Sequence, residues 1–182
     1  MVAPPSEHHP ETPQRASVWP WLLVAVAVIA LDQASKWLVR QELPLNSSVP
    51  VTFFFNLVDI QNPGAAFSFL AAQPGWQRWF FTALSLAASA FIIWLLARNR
   101  GKTLFSLALA CILGGAMGNV IDRLLWGKVT DFLDFYLTLH GRQWHWPAFN
   151  LADSFIFIGA VLLVVDEFVR AKRRPSRTRA IR

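Results

Sequence analysis

The sequence predicts an all-α integral membrane protein: four transmembrane helices with the N- and C-termini cytoplasmic, plus a small extracytoplasmic β element and an interfacial segment. Three observations predict this. Of 182 residues, 54% are apolar and 15% charged, where a soluble domain carries about a quarter charged. Nine Trp and fifteen Phe stand beside a single Tyr, an aromatic excess that suits membrane interfaces. Four stretches approach the roughly 20 apolar residues a helix needs to cross the bilayer core. The composition excludes a disordered chain and a cytosolic enzyme. The lone cysteine, Cys111, lies in an apolar run and excludes a disulfide scaffold.

The chain divides into a polar cytoplasmic tail (1–18), a four-helix membrane domain (19–170) and a basic cytoplasmic tail (171–182). The tail before Trp19 is rich in Pro and His, and no small-residue cleavage site follows the first apolar run, so that run is a span and not a signal peptide. The first span runs from Trp19 to about Val39, with only Asp32 and Lys36 charged inside it. The second (Trp79 to Ala97) and third (Thr103 to Ile121) carry no charge. Only Arg98-Asn99-Arg100-Gly101-Lys102 separates them, which makes a tight antiparallel hairpin. The fourth runs from about Phe149 to Val165 with one charge, Asp153.

Basic residues in short connections mark the cytoplasmic side. The 98–102 loop and the tail from Arg170 carry them, which also accounts for much of the net charge of +6. The basic tail is a topology signal that touches anionic membrane lipid, and no nucleic-acid partner is expected. Two longer connections then face outward. The first holds Val49-Pro50-Val51-Thr52-Phe53-Phe54-Phe55, Leu57-Val58-Asp59-Ile60 and Asn62-Pro63-Gly64, a pattern of short strands bounded by turn residues. The second, about Asp122–Ala148, mixes charges with Trp126, Trp144 and Trp146 and suits an interfacial segment lying flat.

Carboxylates in or beside a span cost a few kcal/mol and usually have a task. Asp32, Asp122, Asp131, Asp134 and Asp153 all fall near the outer face on this topology. Asp32 and Lys36, four apart, share a helix face and can pair. Gly114-Gly115-Ala116-Met117-Gly118 has small-xxx-small spacing for close helix packing. Arg123 directly follows Asp122 and offers it a partner, which makes Asp122 a structural clamp and a poor proton shuttle. Asn150 and Asp153 have the spacing of a capping box that opens the fourth helix. The four histidines, His8, His9, His140 and His145, lie outside the spans, and there is no Cys/His/Glu metal spacing, phosphate loop or G-x-S-x-G elbow. Neither a metal nor a cofactor is expected. Two acids that share a proton can activate water, because adjacent like charges resist ionising together. The competing reading is a small proton- or ion-coupled transporter that relays ions through the same acids.

Five segments resemble the bacterial lipoprotein signal peptidase family, signal peptidase II. They are Leu31-Asp32-Gln33-Ala34-Ser35-Lys36; Asn62-Pro63-Gly64-Ala65-Ala66-Phe67-Ser68; Gly114 through Arg123; Val129-Thr130-Asp131-Phe132-Leu133-Asp134-Phe135; and Phe149-Asn150-Leu151-Ala152-Asp153-Ser154. They stand in family order. The resemblance implies an aspartic endopeptidase of the bacterial inner membrane, with its active site at the periplasmic face. Its substrate partner would be a diacylglyceryl-modified prolipoprotein, cut just before the lipidated cysteine. The matched catalytic pair is Asp131 and Asp153. Asp32, Lys36, Asn62, Gly64, Phe67, Asn119, Asp122, Arg123 and Asn150 match positions that bind substrate or support the site.

Overall fold

The computed structural model describes residues 17–64 and 75–173; Phe67 lies outside them. The elements run α1 (Trp19–Glu42), β1 (Ser48–Thr52), β2 (Phe55–Asn62), α2 (Trp76–Arg98), α3 (Thr103–Trp126), β3 (Val129–Leu139), β4 (Arg142–His145) and α4 (Leu151–Arg173). Pro20 sits in the first turn of α1, where its missing N–H costs nothing. Gly127, at φ +75°, ends α3 with its N–H on the Arg123 carbonyl, the left-handed cap that a glycine tolerates best.

Among the described residues, α1, α2 and α3 are long and apolar enough to cross a membrane. The helix α4 is as long, but it carries Asp153 in its first turn and Asp166, Glu167 and Arg170 in its last third. In α3, 67% of the apolar stretch is buried, against 28% in α1 and 22% in α2, so α3 is the central helix and packs against the other three. Its glycines make the contacts close. A Cβ on Gly114 would stand 2.6 Å from the Val28 Cβ, and one on Gly115 would collide with the Ala152 carbonyl of α4. At one end the helices close over Ala25, Ile92, Leu96, Leu109 and Leu113. The basic hairpin 98–102 lies at this end. The outward-turned side chains are large and apolar, among them Leu23, Phe91, Phe157 and Phe168, as a lipid-facing surface requires.

The strands form one four-stranded antiparallel sheet in the order β1-β2-β3-β4. The second connection folds as strands β3 and β4 of this sheet. The run from Val129 supplies half of the sheet: β3 pairs with β2 over residues 129–135, with a register shift between Leu57 and Ile60, and with β4 beyond that. Asp122, expected in that connection, lies inside α3, which continues to Trp126. Backbone bonds tie the sheet to the residues just before α4. The Leu133 N–H donates to the Phe149 carbonyl at 2.8 Å, and the Phe149 N–H returns to Leu133 at 3.1 Å. The start of α4 is thereby held against β3.

Candidate active site

Where α1 and α3 end and α4 begins, the bundle buries charge. Lys36 is fully buried, and so are Asp32 and Asp122. The Lys36 ammonium reaches Asp32 Oδ2 at 2.8 Å, Asp122 Oδ2 at 3.2 Å and Asn119 Oδ1 at 2.8 Å. An ammonium has three donors, and each has an acceptor here. The Asp32–Lys36 pairing read from the spacing is present. Asp122, by contrast, does not pair with Arg123. Its ion pairs are Lys36 and, at 3.7 Å, Arg40, because adjacent residues on a helix point about 100° apart and cannot face each other. Arg123 instead points across α3, donates to the Asn119 carbonyl at 3.4 Å and lies over the Phe81 ring.

Asp122 Oδ2 also accepts the Thr130 backbone N–H at 3.2 Å, and Arg40 Nη1 donates to the Thr130 hydroxyl at 3.0 Å. Thr130 is gripped through both backbone and side chain, and the next residue on β3 is Asp131. Asp131 is 3% exposed. Its Oδ1 accepts from Asn150 Nδ2 at 2.7 Å and its Oδ2 from Asn62 Nδ2 at 3.0 Å. Burial pushes its carboxyl up to about 7; the Asp153 charge adds to this, while the bonds from Asn62 and Asn150 and the Lys36 charge oppose it.

Asp153 stands in the first turn of α4. The capping-box spacing is realised in both directions: Asp153 N–H donates to Asn150 Oδ1 at 3.0 Å, and Asn150 N–H donates to Asp153 Oδ2 at 3.3 Å. Asp153 Oδ1 accepts from Asn119 Nδ2 at 2.8 Å. Asn150 Nδ2 bonds Asn119 Oδ1 at 3.3 Å as well as Asp131. Two asparagines thus tie together carboxylates from a strand and a helix that are far apart in sequence. The structure brings Asp32, Lys36, Asn62, Asn119, Asp122, Asp131, Asn150 and Asp153 into one network. Gly64, at φ +104°, has its N–H on Asn62 Oδ1 at 2.9 Å and packs on Phe81. Arg123 borders the network, with Asp153, Asp131 and Asp122 in its electrostatic reach.

Asp134, grouped with the other acids by sequence, stands apart. It binds Asn56 at 2.8 Å and the His145 ring at 2.9 Å on the sheet. Three contributors escaped sequence reasoning. Gln33 donates to both Asp32 and Asp122. Arg40 lies one turn beyond Lys36 on the same face of α1, a spacing that was legible. Asp59 is buried on β2, where desolvation raises its carboxyl and the Arg40 charge opposes the rise; it reads as an ordinary strand residue. Beside Asp153 opens an apolar groove of about 560 Å³, lined by Trp146, Phe149, Ser154, Phe157 and Ile158.

A family model described as signal peptidase (SPase) II matches residues 24–169. The chain belongs to the signal peptidase II family. The lipoprotein signal peptidase of Ralstonia nicotianae is 58% identical over 156 residues, covering 86% of this chain and 88% of that protein. That of Cupriavidus necator is 55% identical over 153 residues, covering 84% and 85%. Among solved structures, a bacterial membrane enzyme determined by the in meso method at 2.3 Å aligns with a TM-score of 0.75 at 24% identity, covering 92% of this chain and 98% of that one. A second, at 1.9 Å, aligns with a TM-score of 0.70 at 26% identity, covering 85% and 96%. The family match spans all five sequence segments.

Proposed function

We propose that this chain is an aspartic endopeptidase that removes the signal peptide from diacylglyceryl-modified prolipoproteins, cutting just before the lipidated cysteine. The observation that carries the reading is the pairing of Asp131 and Asp153 through Asn119 and Asn150. Asp153 stands in the first turn of α4, where the helix dipole favours a carboxylate, and it serves as the base. It takes a proton from water as the water oxygen attacks the scissile carbonyl. Asp131, whose carboxyl holds its proton up to about 7, gives that proton to the carbonyl oxygen. When the tetrahedral species collapses, the C–N bond breaks, Asp153 passes its proton to the departing amine, and Asp131 recovers its own. The pair titrates as a unit.

The supporting residues orient rather than react. Asn62, Asn119 and Asn150 hold the carboxylates. The Nε of Arg123 is buried without a partner among the described residues, which leaves the guanidinium able to meet a substrate carbonyl or a lipid phosphate. The groove beside Asp153 takes apolar substrate, and the lipid chains stay in the bilayer. All four helices span the bacterial inner membrane. Arg98, Arg100, Lys102, Arg170, Lys172 and Arg173 support a cytoplasmic position for that end, with the dyad at the periplasmic face, next to membrane lipid. An ion relay finds no support: between the buried cluster and the basic end, residues 19–31, 79–97, 103–121 and 154–165 hold no charged side chain.

The test is cleavage of a purified diacylglyceryl prolipoprotein in lipid, followed by gel shift. Asp131→Asn and Asp153→Asn are expected to lose cleavage while their thermal melts stay cooperative. Cleavage that survives either substitution would move the chemistry elsewhere. Asp122→Asn separates clamp from catalyst: it is expected to lower the melting temperature and to retain residual turnover.

A further inference from the structure

An asparagine amide is nearly symmetric in shape, yet its two ends do opposite things to a carboxylate. The NH2 end stabilises it and the oxygen end repels it. Asn119 lies 2.8 Å from Asp153, so the direction in which its amide points matters to the pair. A protonated Asp153 could meet the amide oxygen instead, so the Asn119–Asp153 contact does not hold that direction through both protonation states. Lys36 does. An ammonium has no acceptor, so the Asn119 end that meets Lys36 Nζ at 2.8 Å must be the oxygen. Asn150 Nδ2 reaches the same oxygen at 3.3 Å. That commits the NH2 of Asn119 to Asp153, and it orients Asn150 so that its NH2 also serves Asp131 and its oxygen takes the Asp153 N–H.

We infer that Lys36 is a positioning residue for the dyad: by docking its charge on the Asn119 oxygen it sets the direction of both asparagine amides, so that each catalytic carboxylate meets an N–H donor. The inference rests on the Asp131/Asp153 reading and deepens it. The lysine touches neither carboxylate and acts through the amides. Asp32 and Asp122 have a defined part in this. They neutralise the ammonium and leave it one donor, aimed at Asn119. A simple ion pair to ease burial would need only one carboxylate; the third, neutral acceptor is what links the pair to the dyad. The charged groups facing this site are Asp32 from α1, Asp122 and Arg123 from α3, Asp131 from β3 and Asp153 from α4, with Arg40 on the far side of Asp122.

Lys36→Met alone would leave two buried carboxylates facing each other, so the test variant is Lys36→Met combined with Asp32→Asn. The new amide keeps an oxygen for the Ala152 N–H that Asp32 accepts at 2.9 Å, and Asp122 keeps Arg40. The full chain is assayed in lipid with a diacylglyceryl prolipoprotein, and kcat, KM, the pH–kcat profile and the melting temperature are read. The control is Asp166→Asn, which removes the Asp166–Arg170 pair at the opposite end of α4. The double variant is expected to lose about 10²-fold in kcat with KM little changed. Its pH–kcat limb near 7 moves up, because amides no longer held with their NH2 groups on the carboxylates stop favouring the ionised form. The control keeps wild-type kcat and limb. A double variant with wild-type kcat, or one whose kcat falls with no movement of the limb, would overturn the inference and leave Lys36 a structural role. If the wild-type chain itself does not cleave, the peptidase reading fails first, and this is seen in the same gel.

Discussion

The two halves of α3 bury their side chains by opposite means. From Ser106 to Gly115 the helix is packed by absence: Ala108, Ala110, Gly114 and Gly115 let backbones of α1 and α4 approach until no Cβ would fit at the glycines. From Gly118 to Asp122 it is packed by charge, with Asn119 buried against Lys36 and Asp153, and Asp122 against Lys36 and Thr130. In lipid the first half gains from van der Waals contact. The second gains little net stability, since desolvating ions offsets most of their attraction. What it provides is direction: each buried donor has one acceptor to meet. The small-residue half holds α4 at a fixed distance, and the charged half fixes what the first turn of α4 presents.

Substitutions in each half should therefore fail differently. The largest effect is expected where the charged half of α3 meets the residue that opens α4. Asn150→Ala removes the bonds to Asp131, Asn119 and Asp153 together; kcat should fall about 10²-fold or more, while the lost cap costs only about 0.5–2 kcal/mol of stability. An equal loss of melting temperature and activity would make Asn150 a packing residue. In the small-residue half, Gly115→Ala drives a methyl into the Ala152 carbonyl and should cost about 1–3 kcal/mol in detergent unfolding. Activity should be lost only as α4 is displaced, so a stable but inactive variant would contradict the division.

Much of the small-residue half was legible in the sequence, and so were the elements of the charged half. The glycine spacing named close packing, the Asp32/Lys36 spacing named their pair, and Asn150/Asp153 named a cap; all three are present. The partner of Asp122 was not legible. Chain adjacency suggested Arg123, but the helix turns that side chain away, and the true partners come from α1. The sheet was half legible. Strands β1 and β2 have turn residues at their ends, whereas β3 follows α3 after a two-residue turn and mixes acids with aromatics, so its pairing with β2 depends on tertiary contact that a local pattern does not record.

Smaller effects sharpen the comparison further. Burial raises Asp131 from an ordinary 3.8 to about 7. An acid whose folded value is raised is stabilising below its unfolded value, and that contribution is lost as pH climbs through the folded value. Asp131→Asn should therefore gain stability relative to wild type between about pH 4 and 7, and the difference should level off above 7. A flat difference across that window, measured by denaturant unfolding, would mean that Asp131 is not held in a desolvated site. Smallest is Gly64→Ala. Its φ of +104° and the Phe81 ring 2.9 Å from the added Cβ should cost about 1–2 kcal/mol. KM should rise more than kcat falls, because Gly64 lies beside the dyad rather than within it.

The central claim is that Asp131 and Asp153 work as one unit. The most direct measurement is the single-turnover cleavage rate of a diacylglyceryl prolipoprotein by wild type, Asp131→Asn, Asp153→Asn and the double variant. If the carboxylates act together, each single substitution should cost about 10²–10⁴-fold, and the double should be no slower than the worse single. Losses that multiply in the double variant, or a single variant that keeps near wild-type cleavage, would contradict the account.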